Sequence, residues 1–266
     1  MIQPDTATAD HAISSGTTSD ETAIERVLRP LARKAGGMTG ADIREVVQNA
    51  RRKARREKRP VTYDDIESLL VGTKQPRSMP LLNRMAVHEA GHAIARLYFQ
   101  LGPIIEITIE ARDGGYVLGA FSQDEQTEEL LTVFLIAHLA GRAAEEEILG
   151  SATSNSGGSE QSDLALATGL ALDMETVLGF SRKWPLLYRK SKDGAAILGT
   201  DLELAQRVNA RLASAHKAAR DIVHKQKTAL QFLANILLAE ETLEGPELDA
   251  VLEQVRRKMV DLPVRR

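Results

Sequence analysis

The 266-residue chain contains no cysteine. Disulfides and thiolate metal sites are thereby excluded, a reducing compartment suits the chain, and any metal must be held by His, Asp or Glu. Aromatic residues are scarce, at 4%, which argues against the stacking platform that binds single-stranded nucleic acid. No apolar run approaches the roughly 20 residues that a membrane-spanning helix needs. The opening stretch MIQPDTATADHAISSGTTSDETA has neither the basic nor the apolar region of a signal peptide. A strong excess of either charge is also missing: the net charge of −3 gives the whole molecule no polyanion-binding field. These absences predict a soluble, cytoplasmic protein. What is present is an ordinary globular composition, with 43% hydrophobic and 27% charged residues. The length suffices for a sizeable core and for more than one folded unit.

Residues 1–21 are rich in Ser, Thr, Asp and Ala without periodicity, and read as a disordered tail. Residues 22–72 read as a small all-helical unit. Ile24, Val27, Leu28 and Leu31 have one-face spacing before Gly36-Gly37 breaks the helix. Thr39 with Asp42 has the pattern of a capping box, and Ile43, Val46, Val47, Ala50 and Ala54 form the next apolar stripe. Thr62 with Asp65 starts a third short helix through Leu69-Leu70. Residues 73–81 are a linker by their prolines and polarity, and residues 82–266 form a larger unit. There IIEITIE (104–110) and residues 116–121 predict two short strands around Asp113-Gly114-Gly115. Helical patterns follow at about 126–149, 162–178, 201–224, 226–241 and 246–259. The fold class is mainly α (α+β): helices with a short β ribbon.

The motif that carries chemistry is His88-Glu89-Ala90-Gly91-His92. Residues four apart share one helix face, so both imidazoles can reach a single ion at roughly 2.0–2.1 Å. Glu89 sits one position round from His88, where a carboxylate can act as general base toward water at the metal. Ala90 and Gly91 are small enough to admit a substrate or another backbone. The competing reading is a helix that carries two histidines by chance. A zinc site needs a third ligand, and the extended H-E-x-x-H-x-x-G-x-x-H pattern fails, because Ala95 and Tyr98 occupy its last two positions. His138, Glu145, Glu146, Glu147, Asp163, Asp173 and Glu175 remain as candidates. Asp163 has the best local context, at a helix start after the Gly/Ser loop 150–162, but spacing alone leaves the choice open.

Several segments together resemble one family. Gly37-Met-Thr-Gly-Ala-Asp42 and its helix look like the lid subdomain of an AAA+ ATPase. HEAGH, then Ala140-Gly-Arg-Ala-Ala-Glu-Glu146, then Ser162-Asp-Leu-Ala-Leu-Ala-Thr168, then Glu241-Thr-Leu-Glu-Gly-Pro-Glu-Leu248 resemble in order the FtsH-like AAA-proteases, over about residues 23–250. The resemblance implies a lid-like helical subdomain followed by a helical zincin-type peptidase domain. It implies zinc held by His88, His92 and Asp163, and Glu89 as catalytic base. Glu145 and Glu146 fall near the site in the family pattern, where a supporting role or, preferably, helix packing is expected. It further implies unfolded polypeptides as substrates and assembly as a homo-oligomeric, hexameric ring. The family's G-x-x-x-x-G-K-[ST] phosphate loop is missing, so this chain is not expected to hydrolyse ATP by itself. An ATPase module upstream in the same polypeptide or in trans is expected, with the chain a fragment rather than a natural short form. Full-length membrane association stays open. The loop before Asp163 is longer and more Ser-rich than the family's, and Ala140-Gly141 stands where the family has two glycines.

Two readings compete with a peptidase. The basic run Arg51–Arg59 suits nucleic-acid phosphates, but the same helix already supplies a core face and a solvated charged face is the preferred account. A catalytically inactive assembly module is the other, against which stands the retention of Glu89 with both histidines. One of the predicted strands is also a candidate edge for an extended substrate, and the helices at 201–259 (Leu202, Ala205, Val208, Leu212) for a cap or subunit contact.

Overall fold

The structure is a computed structural model and describes residues 17–36, 38–71, 77–110, 115–119, 125–154, 157–190, 192 and 194–262. The chain divides into two compact units, Met1–Lys74 and Gln75–Arg266.

The first unit contains α1 (Thr17–Lys34), α2 (Gly40–Arg56) and α3 (Tyr63–Val71). Helix α1 starts at Thr17, inside the stretch read as an irregular tail, while residues 1–16 lie outside the described ones. Of its expected apolar stripe only Leu31 is buried; Ile24, Val27 and Leu28 stay exposed. Helix α2 begins with the expected capping box: Thr39 N and Oγ1 donate to Asp42 Oδ2 at 2.8 Å, and Asp42 N donates back to Thr39 Oγ1 at 3.3 Å. Val46, Ala50 and Ala54 form its buried stripe, and Ile43 stays exposed. The basic run is partly spent inside the unit. Arg59 Nη2 donates to the buried Asp65 at 2.8 Å, and Lys53 Nζ lies 3.2 Å from the same carboxylate. Thr62 N and Oγ1 donate to Asp65 Oδ2 at 3.0 Å, which starts α3.

The second unit is built on α4 (Met79–Phe99), whose residues Met85–Gly91 and Ala93–Leu97 are buried. Ser78 precedes it, Pro80 lies in its first turn, and Gln100 ends it in the left-handed region at φ 55°. Alanines 86, 90, 93 and 95 keep its surface thin, so α5 (Glu128–Leu149) and α8 (Lys227–Glu240) pack closely on it. Gly91 marks the tightest approach: a Cβ there would lie 2.6 Å from Ala140 O and Ala144 Cβ of α5. Helix α6 (Asp163–Thr176) packs on α5, and α7 (Leu202–Lys225) packs along α5 and α6. A 3-10 helix, Gly194–Gly199, and α9 (Gly245–Lys258) complete the helical elements among the described residues. The helices at 201–259 are part of the core rather than an appended cap: Leu204, Val208, Leu230, Leu237, Leu248 and Val255 join one buried cluster with α4 and α5.

The ribbon has a third strand that was not expected. Strands β1 (Ile104–Thr108), β2 (Tyr116–Gly119) and β3 (Thr242–Glu244) form an antiparallel sheet in the order β2-β1-β3. Ile107 pairs with Val117 on one side and Leu243 on the other. The turn expected at 113–115 lies outside the described residues up to Gly114.

Candidate metal centre

Three elements meet at the motif. Helix α4 presents His88 and His92 one turn apart, α5 crosses over them, and the first residue of α6 closes the third side. Ser162 caps α6, its Oγ accepting from Ala165 N at 3.4 Å, and this places Asp163 at the first helical position. Asp163 Oδ2 lies 3.0 Å from His88 Nε2 and 3.3 Å from His92 Nε2, and the two Nε2 atoms are 3.1 Å apart. The three ligand-type atoms lie within 4.8 Å of one another, the metal-capable His/Asp/Glu group found among the described residues.

Tautomers follow from the partners behind the rings. Glu145 Oε1 lies 2.8 Å from His88 Nδ1, and Ala137 O lies 2.8 Å from His92 Nδ1. Both partners only accept, so both Nδ1 atoms carry a proton. Burial lowers the proton affinity of both rings, but Asp163 and Glu145 outweigh it at His88, whose pKa rises to about 10. Asp163 outweighs it at His92 as well, so a metal ion held at the Nε2 atoms would displace their protons. Two imidazole nitrogens and a carboxylate oxygen converging on one point can hold a cation between them. The set of two imidazole nitrogens and one carboxylate suits a zinc-type ion with an open coordination position, and backing of a ligand His by a carboxylate or carbonyl is the usual arrangement.

Glu145 is fully buried, and its other oxygen accepts from Arg84 Nη1 at 2.9 Å, Thr153 N at 2.9 Å and Thr153 Oγ1 at 3.0 Å. Burial raises its proton affinity, but the bonds to His88 and Arg84 outweigh burial and hold the carboxyl below its ordinary range. Glu146 points elsewhere, to Arg142 at 3.0 Å and His216 at 3.1 Å. Helix packing thus describes Glu146, whereas Glu145 reaches a histidine of the site. Glu147 pairs with His224 at 2.7 Å and Glu175 with Arg211 at 2.6 Å, while Asp173 is exposed; none joins the cluster. His138 is half-buried one residue after Ala137, and burial and the neighbouring His92 lower its proton affinity.

Glu89 is buried, and burial raises its carboxyl above the ordinary value despite the opposing pull of His92 and His88. Its carboxylate abuts the start of β2: a Cβ on Gly115 would fall 2.5 Å from Glu89 Oε1. Gly141 clears the other side, since a Cβ there would lie 2.5 Å from both Nε2 atoms. The sequence marks Gly115 only as part of a turn and Gly141 only as part of a family segment, without tying either to the site, and it does not mark Arg84, which precedes His88 by one helical turn on the same face.

Fold and site together define a mainly helical protein with a His-His-Asp group that could hold a metal ion beside a buried glutamate. The model of Peptidase family M41 matches residues 82–251, and the chain belongs to that family. The ATP-dependent zinc metalloprotease FtsH of Chloroflexus aggregans is 30% identical over 263 residues, covering 88% of this chain and 40% of the relative. FtsH 3 of Symbiobacterium thermophilum is 32% identical over 86% of this chain, and FtsH of Neorickettsia risticii 34% over 84%. The chain therefore spans about two fifths of these relatives' length, 40% and 37% respectively. No described helix is long and apolar enough to cross a membrane.

Proposed function

We propose that this chain is the peptide-cleaving part of an FtsH-type ATP-dependent zinc metalloprotease, acting on unfolded polypeptides. The observation that carries the reading is the convergence of His88 Nε2, His92 Nε2 and Asp163 Oδ2 beside the buried Glu89. His88, His92 and Asp163 would hold the ion, with Glu145 and the Ala137 carbonyl fixing the ring tautomers. Zinc, when bound there, supplies a Lewis acid that polarises a peptide carbonyl and acidifies water. Glu89 takes a proton from the attacking water on its carboxylate and delivers it to the leaving amine nitrogen. A buried carboxyl with raised proton affinity suits both halves of that transfer.

The sheet supports a sequence-tolerant substrate. Strand β2 is outermost in the order β2-β1-β3, and Gly115 at its start touches Glu89. An extended polypeptide laid along β2 through backbone hydrogen bonds reaches Glu89 without demanding particular side chains. Within this reading the chain works in a homo-oligomeric, hexameric ring on the cytoplasmic side. Unfolding and ATP turnover belong to an ATPase module in the same polypeptide or in trans, and residues 22–72 are that module's lid. Cleavage of casein by zinc-loaded protein, wild type against Glu89→Gln, tests the mechanism. Glu89→Gln should keep its zinc and lose cleavage by about 10²-fold or more; a variant that cleaves as fast as wild type ends the role of Glu89.

A further inference from the structure

On α5, His138, Gly141 and Glu145 follow one another at spacings of three and four, so they share one stripe of the helix. Glu145, at one end of the stripe, lies 2.8 Å from His88 Nδ1, and Gly141 in the middle leaves room for both Nε2 atoms. His138 is the third member, one turn further along, and the carbonyl of Ala137 just before it holds His92 Nδ1 at 2.8 Å. The side of α5 that packs on α4 is a different one, where Ala140 and Ala144 meet Gly91. Helix α4 gives the same bearings. Glu89 lies round one side of the histidine face, toward Gly115, and Gly91 round the other, toward α5. Glu89 and the α5 stripe therefore flank the three ligand atoms from opposite sides. His138 is half-buried and, among the described residues, has no hydrogen-bond partner. Burial first, then His92 and Arg96, lower its proton affinity, with Asp163 opposing them. The ring thus stands beside the ligand cluster with neither nitrogen engaged by the fold.

We infer that His138 is a further catalytic residue of the peptidase reaction proposed above, donating an imidazole N–H to the carbonyl oxygen of the scissile peptide bond. The inference rests on that reading of the site. The water oxygen bonds to the carbonyl carbon, the C=O π pair moves onto the carbonyl oxygen, and one water proton passes to Glu89. The pair then re-forms C=O as the C–N bond breaks and the amine nitrogen takes the proton from Glu89. Negative charge grows on the carbonyl oxygen in the first step, and a donor aimed there stabilises the transition state more than the substrate. Glu89 is occupied with the proton on the opposite side. On the α5 stripe, Glu145 is engaged by His88, Arg84 and Thr153, and Gly141 has no side chain, so the N–H comes from His138. An imidazole keeps an N–H whether neutral or charged, so the role does not hang on a titration.

The full 266-residue protein is loaded with zinc, and wild type, His138→Leu and His138→Gln are compared on an internally quenched, unstructured peptide. His138→Leu should lose about 10²-fold in kcat with KM changed by less than about threefold, and zinc content and Tm should stay at the wild-type level. His138→Gln keeps a donor N–H and should recover about tenfold of that loss. A phosphinic peptide, whose tetrahedral centre carries an oxygen where the carbonyl oxygen develops its charge, should bind His138→Leu about 10²-fold more weakly than wild type. The binding arm needs no turnover. A wild type that binds the phosphinate but cleaves nothing defeats the peptidase reading, whereas equal phosphinate affinity in wild type and His138→Leu defeats the role of His138. Wild-type kcat in His138→Leu overturns the proposal too. So does a loss of kcat that comes with lost zinc or a lowered Tm, which would make His138 a packing residue, and so does a His138→Gln protein no faster than His138→Leu.

Discussion

Replacing Glu145 by Gln tests how far the site depends on atoms behind the histidines. The substitution keeps the volume of a fully buried side chain and removes one acceptor. One carboxylate oxygen of Glu145 takes three donors, Arg84 Nη1, Thr153 N and Thr153 Oγ1, and the other faces His88 Nδ1. A glutamine has one oxygen, and the three donors claim it. Its amide NH₂ then points at His88 Nδ1, which can stay only as an acceptor. The imidazole proton moves to Nε2, the atom that faces His92 and Asp163, and His88 can no longer offer a lone pair there. Loss of such a carboxylate partner typically costs 10–100-fold in metal affinity, about 1.4–2.7 kcal/mol. Weakening the buried charge-assisted bonds to Arg84 should also lower folding stability by about 1–3 kcal/mol. Competition with a chelator of known affinity measures the first and thermal melts the second. A folded Glu145→Gln protein with wild-type zinc affinity would refute the tautomer argument, because the same geometry would then hold metal without the carboxylate.

Gly91→Ala should be destabilising by about 1–3 kcal/mol despite alanine's better helix propensity. Its Cβ meets Ala140 O and Ala144 Cβ at 2.6 Å, and α4 must move off α5; an unchanged melting temperature contradicts the close crossing. Gly141→Ala places a methyl 2.5 Å from both Nε2 atoms, so zinc content should fall more than stability does, which metal analysis beside a melt resolves. For pH, Arg59 above all, then Thr62 and Lys53, hold the Asp65 carboxyl well below the ordinary carboxylate range. A depressed folded-state value contributes stability that is complete above about 3.9, the unfolded-state value, and is lost as pH falls below it. Hydrogen-exchange protection of α2 and α3 in the whole chain should therefore drop in acid for wild type. Asp65→Asn should show lower protection at neutral pH and a flatter acid response; identical profiles count against the Asp65 cluster as the acid-sensitive tie.

Much of the helical frame was legible because its signals are local. The Thr39/Asp42 capping box, the polar loop 150–162 and the apolar periodicities of α5 and α7 act within a few residues of where they are read. Strand β3 was not legible: Thr242–Glu244 is too short for an alternation pattern and exists because β1 pairs with it. Helix α1 shows the reverse failure, a sound one-face stripe of which only Leu31 is buried, since periodicity marks a face but not what covers it. At the site, HEAGH put His88 and His92 on one helix face through spacing alone. Asp163 follows His88 by 75 positions, and only the capped start of α6 aims it at the pair. Glu145 and Glu146 are adjacent and chemically identical, so the helix turn that sends one to His88 and the other to Arg142 and His216 was invisible.

The central claim is that His88, His92 and Asp163 together hold a zinc ion. X-ray absorption at the zinc edge on the purified 266-residue chain, wild type against Asp163→Asn, tests it most directly. The account predicts stoichiometric zinc with two imidazoles and light oxygen ligands at about 2.0–2.2 Å, and a marked loss of occupancy in Asp163→Asn. Full occupancy with an unaltered coordination shell in that variant would contradict it and move the third ligand elsewhere.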